Sequence, residues 1–168
     1  AQWLTDHRVD IGFVTLPDER FDTFPLMEDQ LVALLPLAHP LTKKSAVTLE
    51  ELCASPFAMT RAGSGDIIGG LFRALRLQPN VRWRSLQLVS TIAAVARGEA
   101  VSIVAESALP SDKAPGYVKK PLRPAARRQV ALAVPDVRRM SPAAREFIRM
   151  AQEVFPHPAQ SAARPTKR

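Results

Sequence analysis

From Ser90 to Ser107 the chain reads STIAAVARGEAVSIVAES. Leu88, Ile92, Val95 and Ala96 fall at i, i+4, i+7 and i+8, which is one stripe of a helix. Gly98 stands where a helix should close, because a residue free to take positive φ ends the last turn at little cost. The run that follows, AVSIVA, is almost wholly apolar and too short for a helix, so it reads as a buried strand. A helix returned to a buried strand by so short a turn packs as one step of an α/β layer. Polar residues sit at both ends of this unit: Gln87, Ser90 and Thr91 at the start, Glu106 and Ser107 past the strand.

The same alternation runs along the rest of the chain. VDIGFVT predicts a strand with Val9, Ile11 and Phe13 on one face. LPDERFDTFP reads as a loop, LVALLP as a buried strand and LAHPLTKKSA as a connector. In TLEELC, Thr48 and Glu51 have capping-box spacing, so each can satisfy a backbone donor at a helix start. PFAMT predicts a strand and RAGSG a loop. DIIGGLFRALRL predicts a helix with Ile67, Ile68, Leu71, Phe72 and Leu75 on its inner face, weakened by the Gly69-Gly70 pair. NVRWRSL predicts a strand alternating around Val81 and Trp83. GYVKKPL and RQVALAV read as two more strands. The last element, SPAAREFIRMAQEVF, predicts a helix with Ser141 as N-cap and Pro142 in its first turn. Its inner stripe is Ala144, Phe147, Ile148, Ala151 and Val154 or Phe155. The class is therefore α/β with parallel or mixed sheets. Ligands in such sheets bind at strand carboxyl ends and helix amino ends. That expectation puts a crevice beside Gln87 to Ser90 and Ala105 to Ser107.

Composition narrows the function classes. The 168 residues suffice for one domain or two small lobes sharing a sheet. No apolar run approaches the ~20 residues that span a bilayer. AQWLTDHRVD shows no basic-then-apolar signal pattern, so a cytoplasmic location is expected. Cys53 is the lone cysteine, which excludes an internal disulfide. The net charge of +7 invites a nucleic-acid reading. Yet Arg and Lys are scattered through the second half, without the interleaved aromatics that stack bases. SAARPTKR reads as a frayed basic tail.

Among candidate sites, MTRAGSGD joins a strand to a helix. Its amides, with Gly63, Ser64 and Gly65, can cradle an anion at the positive helix end, and Arg61 can pair a carboxylate. Taken alone it reads more readily as an ordinary loop with Ser64 or Asp66 as N-cap and Arg61 in solvent. The Lys-Ser/Thr ending of a phosphate-binding P-loop is absent. His7, His39 and His157 are far apart and lack partners at metal-ligand spacing, so no metal is expected. There is no nucleophile-elbow pattern and no convincing acid-base pair, so neither an enzyme nor a cofactor is expected. Cys53 has no activating neighbour, Asp10 reads as a structural hydrogen-bonding residue, and Trp3 and Trp83 read as core or interface.

Several stretches, in order, resemble the effector-binding domain of LysR-type bacterial transcriptional regulators. They are VDIGFVT, LVALLPLAHPL, VTLEELCASPF, LQLVSTIAAVARGEAVSIVAES, RRQVALAVP and SPAAREFI, spanning roughly Trp3 to Phe155. The resemblance implies a periplasmic-binding-protein-like (type 2) fold of two α/β lobes with a small effector between them. The first lobe takes residues 1–55 and, on the chain's return, 122–156 with the terminal helix. The second takes 56–121, and 157–168 form the tail. The same resemblance places the effector against Thr15, Thr60, Arg61, Ala62, Gln87, Val89, Ala105 and Glu106, and the loop reading adds Ser64. The family's proline and glycine near the last strand are Ala105 and Ala100 here, which alters the crevice shape. Helix amino ends converging with Arg61 suggest an anionic effector, a carboxylate. The family's N-terminal winged helix-turn-helix and first strand-helix-strand are not in the sequence. DNA would then be reached only through that module, and the first lobe's open strand edge implies a homo-oligomer, a dimer or larger. Two rivals share the bilobed architecture: a solute-binding protein of transport, and an enzyme.

Overall fold

Two long strands, β2 (Asp22–Pro36) and β6 (Tyr117–Val134), carry the chain through the fold. The computed structural model describes residues 2–61, 64–110 and 116–155. It divides into two compact units, residues 1–29 with 128–168, and residues 30–127. The four-stranded sheet has the order β1-β6-β2-β5, and a two-stranded sheet pairs β3 with β4. Both long strands therefore contribute residues to both units. The sequence reading divides the chain instead at 55/56 and 121/122.

The first unit holds α1 (Gln2–Thr5), β1 (Gly12–Leu16) and α5 (Pro142–Val154). β1 pairs antiparallel with β6, from Gly12 opposite Ala133 to Leu16 opposite Gln129. Alternate residues of β6 face two layers, as strand geometry requires. Ala131 and Ala133 pack with Val14 and Leu4, whereas Leu132 and Val134 pack with Leu26 and Ile148. The strand signal at VDIGFVT thus begins only at Gly12, and its inward residue is Val14. Phe13 is 66% exposed, since α5 covers Leu132 and Val134 but leaves the residue beside them at the sheet edge uncovered. α5 starts as expected, with Ser141 Oγ accepting from Ala144 N at 3.2 Å and Pro142 in the first turn. Its buried residues are Ala144 and Ile148, a narrower stripe than the sequence suggests. Phe147, Val154 and Phe155 are exposed.

The second unit holds α2 (Leu49–Cys53), β3 (Pro56–Thr60), α3 (Gly65–Ala74), β4 (Asn80–Ser85), α4 (Leu88–Ala96) and β5 (Ser102–Ala105). β5 lies antiparallel to β2, and β4 parallel to β3. One core joins Leu31, Ala33 and Leu35 of β2 to Val47, Leu49, Leu52, Phe57, Ile68, Phe72 and Ile103. Phe57 and Phe72 meet edge to face with centroids 5.4 Å apart, a favoured aromatic geometry. On the other face of β2, Val32 and Leu34 pack with Val95, Val104 and Tyr117. Residues 30–55 and 122–127 join this unit because α2 sits in its core and Val47 bridges Leu122. Val47 N donates to Pro121 O at 3.0 Å, and Arg123 N to Val47 O at 2.8 Å.

Three further differences have local causes. β2 begins at Asp22, inside the stretch that reads as a loop, and β6 runs unbroken through KKPLRPAARRQ. Pairing with neighbouring strands satisfies the backbone there, whatever the side chains. In β4 a register shift follows Val81, so Ala58 pairs with Trp83 and the expected alternation is lost. Trp83 is 41% exposed. The opening unit behaves as its spacing predicts: α4 packs through Val95, Leu88 and Ile92, and Gly98 closes it at φ +79°. Ala96 falls on the exposed side.

Candidate functional site

In the second unit three parallel strands end together. β3 pairs with β4 throughout, and it also meets the start of β5. Ala58 N donates to Val101 O at 2.9 Å, and Val101 N to Pro56 O at 2.8 Å. The buried Ser102 hydroxyl adds a bond to Ala58 O at 2.7 Å. Thr60, Ser85 and Ala105 are the last residues of β3, β4 and β5, so they share one edge. The helices α3 and α4 start directly after two of these ends.

Each helix start lacks a side-chain cap. The N-cap of α3 is Ser64 and that of α4 is Gln87, and neither side chain bonds a first-turn amide. Amides in an uncapped first turn keep their donors for another acceptor, and the helix dipole favours a negative one. α3 is pressed hard against its strand: a Cβ built on Gly65 would lie 2.5 Å from Thr60 O. Only a glycine lets the helix start this close. Ser85 closes the other turn, its Oγ donating to Gln87 O at 2.8 Å and accepting from Gln87 N at 3.1 Å. Both helix starts are thereby fixed at the strand ends by the chain itself.

The residues expected at an effector site distribute as follows. Thr60 and Ser64 are buried at the end of β3 and the start of α3. Arg61 is exposed, and its N donates to Ser85 O at 2.7 Å. Its guanidinium makes no ion pair among the described residues. Gln87 caps α4, and Val89 in its first turn is 76% exposed, as is Leu86 at 72%. Ala105 is buried at the end of β5. Glu106 follows it and is already engaged, accepting from Lys119 Nζ at 2.5 Å. Thr15 belongs to the first unit, near the end of β1. Ala62 lies outside the described residues. The second unit alone thus brings Thr60, Arg61, Ser64, Gln87, Val89 and Ala105 to one strand-end edge.

Two contacts at this edge escape sequence reading. Ser85 fixes the α4 turn and Lys119 neutralises Glu106, contacts that only the folded chain reveals. Thr91, one turn into α4, is 1% exposed, and its Oγ1 has no hydrogen-bond partner among the described residues. A buried hydroxyl without a partner is costly.

Other candidate chemistry reads as structural. His39 closes a turn, with Nδ1 accepting from Leu41 N at 3.3 Å and Nε2 3.0 Å from Ser55 Oγ. Burial lowers its pKa. Burial, then the charge of Glu50, pushes the Cys53 thiol up, away from the reactive thiolate. Among the described residues no three His, Cys, Asp or Glu side chains cluster to hold a metal ion, and no helix is long and apolar enough to cross a membrane.

Comparison with known proteins gives these features a context. The LysR substrate binding domain family matches residues 1–156. The HTH-type transcriptional regulator YvbU of Bacillus subtilis is 28% identical over 155 residues, which are 92% of this chain and 53% of that protein. YnfL of Escherichia coli, also an HTH-type transcriptional regulator, is 31% identical over 110 residues, 62% of this chain and 37% of its own. The chain therefore spans about half, or less, of the length of these curated relatives. Among solved structures, the regulatory domain of Synechocystis CcmR in complex with 2-PG superposes with a TM-score of 0.82 at 20% identity, over 92% of this chain and 77% of that one. The effector-binding domain of QuiR in complex with shikimate gives 0.80 at 20% identity, over 92% and 76%. These likenesses establish the fold.

Proposed function

The chain belongs to the LysR substrate-binding domain family, with that family's periplasmic-binding-protein-like α/β fold, and from this membership we propose that it senses a small anionic effector. The observation that carries the reading is the meeting of two uncapped helix starts and Arg61 at the ends of β3, β4 and β5. Amides of α3 and α4 take the negative group and Arg61 pairs with it. Val89 supplies an apolar contact, and Thr60, Ser64 and Gln87 supply polar ones. Ala105 and Glu106 form the rim beyond β5. Thr15 and Ala62 complete the set by family resemblance alone. CcmR and QuiR were solved with 2-PG and shikimate, which supports a small polar ligand here.

The proposed role is binding, not turnover. An effector shifts a conformational equilibrium only by its differential affinity for the two states. Within a longer regulator carrying a helix-turn-helix, that shift would alter promoter engagement. Self-association accompanies this reading, with β1 an edge strand of the sheet among the described residues.

A thermal-shift screen of the chain against small carboxylates, amino acids and aromatic acids tests it. A ligand at a hundred times its dissociation constant stabilises by about 2.7 kcal/mol. The expected result is a shift by one chemical class that Arg61→Ala removes. A carboxylate that binds Arg61→Ala as tightly as the parent would refute the Arg61 assignment.

A further inference from the structure

The first unit contains a cavity of about 330 Å³ that the reading above does not use. It lies at the Gly12 end of β1, away from Thr15, where the chain passes from Val134 to the start of α5. Its volume falls in the range of small-molecule sites. Val9, Val134, Pro135, Met140 and Ala144 give it apolar walls. Four titratable groups also line it: His7, Asp10, Asp136 and Arg139.

Their pairing is uneven. Asp136 is committed, since Arg138 holds its carboxylate through Nε and Nη2 at 3.1 Å each and through its backbone N at 2.9 Å. That contact, and more weakly the charge of Arg139, lowers the Asp136 pKa, so it stays ionised. The side chains of Asp10 and Arg139 make no hydrogen bond or ion pair among the described residues, although both line the same cavity. One negative and one positive side chain thus line the same cavity as the apolar residues, each without a hydrogen-bonded partner of its own. Ser141 adds a hydroxyl proton, because its Oγ lone pair already accepts from Ala144 N.

His7 adds a separate observation. It takes φ +51° where α1 ends, with its N bonded to Leu4 O and Arg8 N to Trp3 O. Glycine usually fills such a turn. The chain places a side chain there instead, on the cavity rim, just as Arg76 closes α3 at φ +54°.

We propose that this cavity binds a small zwitterion, an α-amino acid with an apolar side chain. Arg139 takes the carboxylate and Asp10 the ammonium. The apolar walls hold the side chain, and Ser141 and His7 line the same cavity. A simple anion fits less well, because Asp10 would repel it.

The test is NMR titration of the isotope-labelled chain with L-leucine, L-methionine, L-valine and L-phenylalanine. One or more should move the amides of Val9, Asp10, Val134, Met140 and Ala144. Affinity should fall at least tenfold in Arg139→Gln and in Asp10→Asn, and be unchanged in Arg61→Ala. Both altered residues are exposed, and an unchanged melting temperature confirms that each variant folds. 4-Methylpentanoate, which lacks the ammonium of L-leucine, should bind at least tenfold more weakly than L-leucine. The proposal is overturned if no amino acid moves those amides, or if either cavity variant binds like the parent. It is equally overturned if 4-methylpentanoate binds as well as L-leucine. Shifts confined to Thr60, Ser64 and Val89 and lost in Arg61→Ala would assign the amino acid to the strand-end site and overturn the cavity, leaving the effector reading intact.

Discussion

Arg128 holds the carboxylate of Asp29 through two nitrogens on one oxygen, Nη2 at 2.7 Å and Nε at 2.9 Å from Oδ2. The side chains are 14% and 3% exposed, so this is a buried pair. Asp29 on β2 and Arg128 on β6 are also the residues at which the two long strands leave the first unit. Removing one partner takes this pairing away from a charge that stays buried, a loss of up to about 3–5 kcal/mol, whereas replacing both by apolar groups is far milder. Asp29→Leu or Arg128→Met alone should lower the urea midpoint sharply. The double variant should recover most of the loss.

The capping box at α2 gives a smaller, pH-dependent effect. Thr48 Oγ1 accepts from Glu51 N at 3.3 Å, and Glu51 Oε2 accepts from Thr48 N at 2.9 Å. Lys44, and then the Thr48 amide, hold the Glu51 pKa below its ordinary value. A depressed folded-state pKa means stability that is complete above the unfolded value, about 4.3. It is lost as pH falls through the folded value. Thr48→Ala should cost about 1 kcal/mol at neutral pH. In Glu51→Gln the loss of stability on acidification below pH ~4.3 should be shallower. Denaturant melts across that range measure both.

These elements show why parts of the fold were legible in sequence. The capping box, the Ser141 cap and the Gly98 turn are local contracts between residues three or four apart, and each forms as its spacing predicts. The 29–128 pair was not legible, because its partners are 99 residues apart. Nor was the unbroken course of β6, whose polar middle with Pro121 and Pro124 carries no strand pattern and is held by its neighbours. Phe13 misled because alternation gives the period of a strand but not which face an adjacent helix covers. At the strand-end edge, Thr60, Arg61 and Gln87 could be placed by order along the chain. Ser85 and Lys119 could not, since their roles depend on turn geometry and a contact to Glu106.

His39 sets a second pH dependence. Its Nδ1 accepts from Leu41 N, so the neutral ring carries its proton on Nε2 and donates to Ser55 Oγ. Burial lowers its pKa in the fold. The unfolded chain then takes up a proton first, so stability falls as pH drops below the ordinary histidine value of about 6.5. His39→Asn keeps a capping acceptor without a titrating ring. Its stability should be flatter than the parent's between pH ~7 and ~5, the range around the ordinary histidine value.

Gly65→Ala tests how tightly the α3 start is bound to its strand. The new Cβ would meet Thr60 O at 2.5 Å, a backbone atom that cannot swing aside. Either α3 or the end of β3 must shift, with a cost of about 1–3 kcal/mol for such overpacking. The loss should appear as a lower urea midpoint. Because Thr60 and Ser64 flank the clash, any effector found in the thermal-shift screen should also bind this variant more weakly.

Thr91 separates stability from binding. Its Oγ1 is buried in α4 with no hydrogen-bond partner among the described residues. An unpaired buried hydroxyl costs about 1–3 kcal/mol, and a methyl group of the same shape removes that cost. Thr91→Val should therefore raise the stability of the ligand-free chain by about 1 kcal/mol, or about 2–4 °C in melting temperature at this chain length. If the hydroxyl is retained because a ligand satisfies it, the same variant should lose part of the effector-induced shift while melting higher without effector. A variant that melts higher and keeps the full shift would assign the hydroxyl to neither packing nor ligand. A variant that melts lower would show that Oγ1 is paired in solution, with a water or with a carbonyl of its own helix.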